Sequence, residues 1–379
     1  MTPKERVLSS LQHREPDRVP TGETGVDYSV SEQLLGYSTL YRGKWKEYQA
    51  LWHGRRDEYV ESCKRTIVDL ALKLEWDFVP VHLVPSRNAI LEPPVFLDKY
   101  IWQEADGRIM QFSPESEGHA VTIRVPTRSL DDLVEEDVVI DPSQLELVDY
   151  VTSELGATHF ILGRSEDGSF PHEKFGLSEL LMAMVDNPAF VHRAIEIETR
   201  KAVATINALL DAGCDGVCPG NDYCSSRGPM MSPAHFREYI FPALSAMCQA
   251  THAKGKYMIK HTDGNTWAIL DMLIDAGIDA WQGIQQTIGM GLSDLKTKYG
   301  NRLSLWGGVD LDYLVSGTPD QICQITRQAI DAAAPGGGFV LTSGNTLMVG
   351  VRVENYIAML ETNKSYGVYP IQRGKAFGR

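Results

Sequence analysis

The strongest constraint on this chain is a signature that it uses twice. Leu209-Leu210-Asp211-Ala212-Gly213-Cys214-Asp215 and Leu273-Ile274-Asp275-Ala276-Gly277-Ile278-Asp279 each read as a helix ending on glycine, with an apolar strand following within two residues. Glycine adopts positive φ without a Cβ penalty, so it can stop a helix and turn the chain back into a sheet. Repeated αβ connections of this kind build parallel strands with helices on their faces. Eight short apolar segments fit the scheme: Arg18–Thr21, Asp77–Leu83, Thr158–Gly163, Asp215–Gly220, Tyr257–His261, Ala280–Ile284, Leu303–Gly307 and Phe339–Ser343.

Helical patterns separate most of these segments. Residues 232–254 carry Phe236, Ile240 and Leu244, and residues 266–276 carry Ile269, Leu270 and Leu273, both near a 3.6 period. A helix over 319–334 starts at Pro319 behind a Thr318 cap; others are expected over 3–13, capped by Thr2, and over 57–74. The fold class is therefore α/β, a closed (β/α)8 TIM barrel with an N-terminal helical extension, in which function collects at the carboxyl ends of the strands. An open doubly wound sheet is the competitor, but no GxGxxG motif follows the first strand. The polar stretch 99–130 reads as a hairpin excursion with turns at Asp106-Gly107 and near Glu117-Gly118. No linker divides the chain, so residues 1–379 are expected to form one barrel domain, with 1–75 holding the N-terminal helical elements and the first strand.

Charge narrows the partners. Thirty-six Lys and Arg against 50 Asp and Glu leave −14, a field that repels a polyanion, so no nucleic-acid partner is expected. There is no apolar run of membrane-spanning length and no signal-peptide stretch at the start, so no membrane partner is expected and a cytoplasmic protein is the simplest reading. The chain is compatible with a homodimer. Six cysteines match no closed zinc module, and free thiols are expected.

If the strands hold, the residues just past them share one mouth. In Lys260-His261-Thr262-Asp263-Gly264-Asn265, alternation sends His261 and Asp263 to one side, and Gly264 lets the chain turn. Imidazole can bind a divalent metal or carry a proton, and a nearby carboxylate can orient it or complete the metal's ligands; the plainer alternative is a histidine that closes a loop. Asp222 lies one βα repeat before His261 and reads as a metal oxygen donor, a contact to a cationic substrate group, or a helix cap. Glu23, close to Gly22 and Gly25, reads as an acid, a metal ligand or a turn residue. Cys218 and Cys224 admit zinc–thiolate binding or core packing. His82 and Arg87 suit an anionic substrate group such as a carboxylate, or a packed histidine with a rim arginine. Arg164 reads as a substrate contact or the rim partner of Glu166. Gln282 and Asn345 supply neutral groups for orienting a substrate. Pro335–Phe339 is glycine-rich, but it precedes a strand and so reads as a turn and not a phosphate cradle.

Several stretches resemble the uroporphyrinogen decarboxylase superfamily. They include Thr2-Pro3-Lys4-Glu5-Arg6-Val7, Asp17-Arg18-Val19-Pro20, Met231-Ser232-Pro233, Phe236-Arg237-Glu238-Tyr239, Lys260–Asn265, Trp306-Gly307-Gly308-Val309-Asp310, Gly317-Thr318-Pro319 and Glu354-Asn355. The resemblance implies the same (β/α)8 barrel. It points away from the porphyrinogen decarboxylases, whose arginine-rich segment after the first strand is replaced by Thr21-Gly22-Glu23-Thr24-Gly25, and whose aspartate after the second strand is missing from Val81-His82-Leu83-Val84. The corrinoid-dependent methyltransferase members fit better. Their thiol-methylating members hold zinc with a His-x-Cys pair and a later cysteine; here His261 matches the histidine, Asp263 stands at the cysteine, and Ser343-Gly344-Asn345 has none. The resemblance therefore implies an oxygen-rich zinc site drawn from His261, Asp222, Asp263 and Glu23, and methyl transfer from a small methoxylated or related donor to a corrinoid on a separate partner protein. The alternatives are a decarboxylase of a small anionic substrate and a non-catalytic ligand-binding barrel.

Overall fold

The computed structural model describes residues 1–89, 93–114, 118–135 and 138–372; Glu117, expected at a turn, lies outside them. The chain opens with four helices, α1 (Pro3–Leu11), α2 (Tyr28–Leu35), α3 (Trp45–Trp52) and α4 (Arg56–Lys73). The strands follow: β1 (Phe78–His82), β2 (Val95–Asp98), β3 (Ile101–Gln103), β4 (Ile109–Gln111), β5 (Val121–Arg124), β6 (Phe160–Glu166) and β7 (Gly216–Gly220). Then come β8 (Cys224–Ser225), β9 (Gly228–Pro229), β10 (Tyr257–His261), β11 (Ala280–Ile284), β12 (Ser304–Val309) and β13 (Phe339–Ser343). One curled parallel sheet of seven strands runs β1-β6-β7-β10-β11-β12-β13.

The expected closed barrel of eight strands is thus corrected to seven strands with an irregular seam. Arg18–Thr21, expected as the first strand, forms no ladder. Pro20 has no N–H to donate. The segment nevertheless lies between β13 and β1. Thr21 makes an isolated parallel bridge with Leu341, whose N–H donates to the Pro20 carbonyl (2.9 Å), and its Oγ1 donates to the Leu341 carbonyl (2.8 Å). On the other side, the Asp77 N–H donates to the Thr21 carbonyl, and the Thr21 N–H donates to Asp77 Oδ2 (2.8 Å). Asp77 is fully buried and paired with Arg6 and Arg18, so side-chain charge substitutes for part of a strand ladder.

Two apolar layers hold the fold. Inside the sheet, Phe78, Phe160, Leu162, Ile259, Trp306 and Val340 pack with Val7 and Leu11 of α1. Helix α1 starts on a Thr2–Glu5 capping box and plugs the amino-terminal end of the sheet, where Ser10 Oγ donates to the Phe339 carbonyl (2.9 Å). Outside the sheet, a second layer joins the strands to the surrounding helices. With one end plugged, polar side chains can meet a ligand only at the carboxyl ends of the strands.

The duplicated connection forms as the sequence requires, with Gly213 at φ 103° and Gly277 at φ 109°. The helix expected over 232–254 is a turn over Pro233–His235, a wider coil over Phe236–Ile240 and a regular helix over Phe241–Ala253. Pro242 accounts for the change of winding, since its nitrogen cannot donate to the preceding turn. The excursion is a four-stranded antiparallel sheet, β2-β3-β4-β5, with Gly107 at φ 87° in its first expected turn. It packs Trp102 and Phe112 onto Trp45 of α3, with ring centroids 6.0 and 5.2 Å away. Among the described residues, no helix is long and apolar enough to cross a membrane.

Candidate functional site

The carboxyl ends of β7 and β10 are tied together by a buried cation. Lys260 and Asp167 are both inaccessible to solvent and lie 2.9 Å apart. Lys260 Nζ also donates to the carbonyls of Asn221 (3.1 Å) and His261. Asp167 accepts from the Ser169 N–H (2.8 Å) and the Tyr223 hydroxyl. Burial alone would raise the Asp167 carboxyl, but Lys260 and these donors outweigh it and hold it below its ordinary value. This ion pair therefore fixes the backbone just before Asp222 and at His261.

On that frame, Asp222, His261 and Asp263 converge. One donor atom from each lies within 4.8 Å of the others, the only such group of His, Cys, Asp or Glu side chains among the described residues. His261 Nδ1 meets Gln282 Oε1, so Nδ1 carries the proton and Nε2 keeps its lone pair, 3.9 Å from Asp222 Oδ1. Asp222 Oδ1 accepts the Asp263 N–H (2.8 Å), and Asp263 Oδ2 accepts from Asn345 Nδ2. Asp263 Oδ1 is buried with no hydrogen-bond partner, and a Cβ on Gly283 would stand 2.8 Å from it. Burial, then the like charge of Asp222, push Asp263 up to about 8. Burial, then Arg164, push His261 down to about 4. Two crowded carboxyls, an imidazole with a free lone pair and an orphaned oxygen form a donor set that a divalent cation would satisfy, and nitrogen with oxygen ligands suits zinc.

Glu23 takes a different place from the one expected. It is fully buried behind β13, where its Oε1 accepts the Ser343 N–H (2.9 Å) and its Oε2 lies 2.7 Å from Ser343 Oγ. Ser343 Oγ is also 2.7 Å from the Asn345 carbonyl. The Ser343 hydroxyl donates to Glu23 Oε2, which ties Glu23 to the loop after β13. Burial raises Glu23 to about 8 against the pull of the hydrogen bonds from Ser343 and Tyr356. Glu23 is not in the three-residue group; through Ser343 and Asn345 it braces Asp263 from behind.

Arg87 is also displaced from its expected role. Its guanidinium binds Glu146 (2.6 Å) and Asp57 (2.9 Å) on an exposed face, so its charge is matched outside the mouth. Gln282 orients His261, and Asn345 holds Asp263; both act on the group of three. Cys218 packs in the inner apolar layer, and burial lifts its thiol, as it lifts Cys224 to about 12, away from zinc-binding thiolates.

His82 and Arg164 line a cavity of about 990 Å³ that extends from Gly220 and Asn221 beneath the excursion. Arg164 has no ion-pair partner among the described residues; Glu166 does not fill that role, and Arg164 Nη1 is buried and unbonded. Arg42, Tyr41, Glu47, Tyr59 and His119 join the same wall. None of these five stands at a strand end, so strand periodicity had no means of finding them. Lys260 did leave a signal, as a lone cation inside an apolar strand.

The sequence pattern of the uroporphyrinogen decarboxylase (URO-D) family matches residues 172–366, just over half of the chain. A methylcobamide:CoM methyltransferase, MtaA, of Methanosarcina barkeri is 23% identical over 227 residues, covering 59% of this chain and 64% of that protein. The uroporphyrinogen decarboxylase of Hydrogenovibrio crunogenus is 23% identical over 167 residues, covering 43% of this chain and 44% of that protein. A match to under two thirds of either relative's length leaves their whole-protein activities a matter for proposal. A solved methyltransferase from Methanosarcina mazei shares the fold at TM-score 0.72 and 18% identity, over 97% of this chain and 99% of that one. Likeness thus extends further toward the corrinoid methyltransferase-like members than toward the decarboxylase. With a seven-stranded parallel sheet, its polar residues gathered at one end and this pattern across the second half, the chain belongs to the uroporphyrinogen decarboxylase (URO-D) family.

Proposed function

We propose that this protein transfers a methyl group from a small methoxylated or related donor to a corrinoid carried by a separate protein. The observation that carries the reading is the convergence of Asp222, His261 and Asp263, with Asp263 Oδ1 buried and unbonded, at the carboxyl ends of the strands. The names of the similar methyltransferases support the reaction class.

These three residues would hold the metal, with zinc the candidate. A bound zinc supplies Lewis acidity toward the atom that loses the methyl group. The chain's own residues prepare for this. Gln282 fixes the His261 tautomer, Asn345 fixes the rotation of Asp263, and Asp222 is set by the Asp263 N–H. The Lys260–Asp167 pair keeps the two loops in register, and the excursion contributes Asp106, Arg108 and His119 to the cavity wall. The methyl carbon has to remain reachable by the partner's corrinoid, so the protein's contribution is orientation and leaving-group stabilisation.

The test is metal content of the purified protein, then methyl transfer from methoxylated donors to cob(I)alamin or a corrinoid protein. Stoichiometric zinc, and transfer lost in His261→Ala and Asp263→Ala, is the expected result. A protein that takes up no metal and transfers no methyl group across a broad donor panel refutes the proposal. The unpaired Arg164 favours a second reading, decarboxylation of a small anion, which would appear as carbon dioxide release without metal.

A further inference from the structure

We infer that Asp310, outside the group of three, is a positioning residue for Asp263: it clamps the loop after β11, from which Gln285 holds the Gly264 peptide. The inference deepens the proposed function and rests on that reading only where a metal is concerned; the coupling between the two loops stands on hydrogen bonds alone.

Asp310 stands just past β12 and opens the short helix Leu311–Ser316, a place where a carboxylate ordinarily accepts from its own first turn. It makes no such bond. Only 4% exposed, it spends Oδ1 on the Gln286 N–H (3.1 Å) and Oδ2 on the Thr287 N–H (2.8 Å), two adjacent donors of one loop. A carboxylate that accepts from two neighbouring peptides makes charge-assisted bonds and fixes both the position and the tilt of the loop. Two further bonds hold the same loop: Gln286 Nε2 donates to the Gly308 carbonyl (2.9 Å), and Trp267 Nε1 donates to the Gly289 carbonyl (3.0 Å).

The clamped loop reaches Asp263 through its backbone. Gln285 Oε1 accepts the Gly264 N–H (3.0 Å), while Asp222 Oδ1 accepts the Asp263 N–H (2.8 Å), so the peptides on both sides of the Asp263 Cα are held by side chains. There is little room to yield. A Cβ on Gly264 would stand 2.6 Å from the Cys224 carbonyl oxygen, and one on Gly283 would stand 2.6 Å from the Thr262 carbonyl oxygen. Gly283, at φ 107°, marks a bulge where β11 shifts register against β12; it lies between Gln282, which holds His261, and the clamped loop. The second support of Asp263 meets the same residue. Asn345, which holds the Asp263 carboxylate, follows Gly344, where a Cβ would lie 3.4 Å from Asp310 Cα and 3.4 Å from the Ile284 carbonyl oxygen. Asp310 therefore stands where the loop that holds the Asp263 backbone packs on the loop that holds its carboxylate. Metal ligands whose supporting hydrogen bonds are removed lose about 10- to 100-fold in affinity.

The experiment compares Asp310→Ala, Asp310→Asn and Gln285→Leu with the native full chain in two measurements. In the metal-free proteins, hydrogen exchange read by NMR should show the amides of Gln286, Thr287 and Gly264 exchanging at least about tenfold faster in Asp310→Ala than the change in overall stability, read by urea unfolding, accounts for. With zinc, competition against a chelator should show affinity at least about tenfold weaker in Asp310→Ala and in Gln285→Leu, with Asp310→Asn, which keeps one acceptor oxygen, between these and the native chain. The double variant of Asp310→Ala and Gln285→Leu should stay within about twofold of the weaker single one, since both act through one contact. Thr318→Ala, which loosens the fold at a separate helix cap, should leave zinc affinity unchanged, and so separates a loss of stability from a loss of positioning. If Asp310→Ala does not fold, Asp310→Asn and Gln285→Leu carry both measurements. Native exchange at Gly264 once the clamp is removed, native zinc affinity in the Asp310 variants, or losses that multiply in the double variant overturn the inference. A native chain that takes up no zinc refutes the methyl-transfer reading, and exchange at Gly264 then decides the clamp by itself.

Discussion

Glutamine at position 23 should remove a pH dependence of stability that the native carboxyl builds in. Glu23 has no solvent exposure, and burial raises it to about 8 although Ser343 and Tyr356 pull the other way. In the unfolded chain it titrates near 4.5. Between these values the native state holds a proton that the unfolded state has released, so stability falls as pH rises through that window. The contribution is complete below the unfolded value and lost above the folded one. Each pH unit inside the window costs up to about 1.4 kcal/mol, so the whole interval approaches a ceiling on the order of 5 kcal/mol. Glu23→Gln keeps the shape, and its amide oxygen can accept the Ser343 N–H as the carboxyl does. Urea unfolding of both proteins at about pH 5, 6.5 and 8 isolates the effect, because every other titrating group is common to the pair. The two should be nearly equally stable at the acid end, with the variant ahead by a few kcal/mol at the alkaline end. A stability difference that stays flat across the range would refute the assignment of a neutral buried acid.

Three further outcomes are expected. Gln282→Leu, which frees the His261 ring while keeping every proposed ligand, should weaken zinc affinity about 10- to 100-fold in competition with a chelator; an unchanged affinity would remove Gln282 from the site. Lys260→Met leaves Asp167 buried without its cation and should cost about 3–5 kcal/mol in urea unfolding, while Lys260→Met combined with Asp167→Leu should recover part of the loss. Thr318→Ala removes the hydroxyl that accepts the Gln321 N–H at the start of the Pro319–Ala333 helix, and should lower stability by about 1 kcal/mol without changing metal uptake.

Much of the architecture was legible because it rests on local rules. The Gly213 and Gly277 stops, the Thr2 and Thr318 caps and the strands from β1 to β13 of the main sheet follow from glycine's freedom, hydroxyl capping and short apolar runs. The seam at Arg18–Thr21 was not legible, since the choice between a strand ladder and a proline-containing bridge braced by Asp77 depends on partners far along the chain. Pro20 itself was the one local hint.

The site divides in the same way. Alternation along β10 placed His261 and Asp263 on one side, and the βα repeat brought Asp222 to them, because strand geometry orients residues near one another in sequence. Whether a side chain ends with its polar atoms free or spent is decided by residues that sequence distance does not connect. Arg87 found Glu146 and Asp57, Glu23 found Ser343, and Arg164 found no partner at all among the described residues. By itself, the sequence determined the parallel α/β scaffold and the end of it where chemistry collects. Only the tertiary structure decided which of the charges there remained available, because hydrogen bonds and ion pairs are made by proximity in space, and a partner once engaged is withdrawn from any ligand.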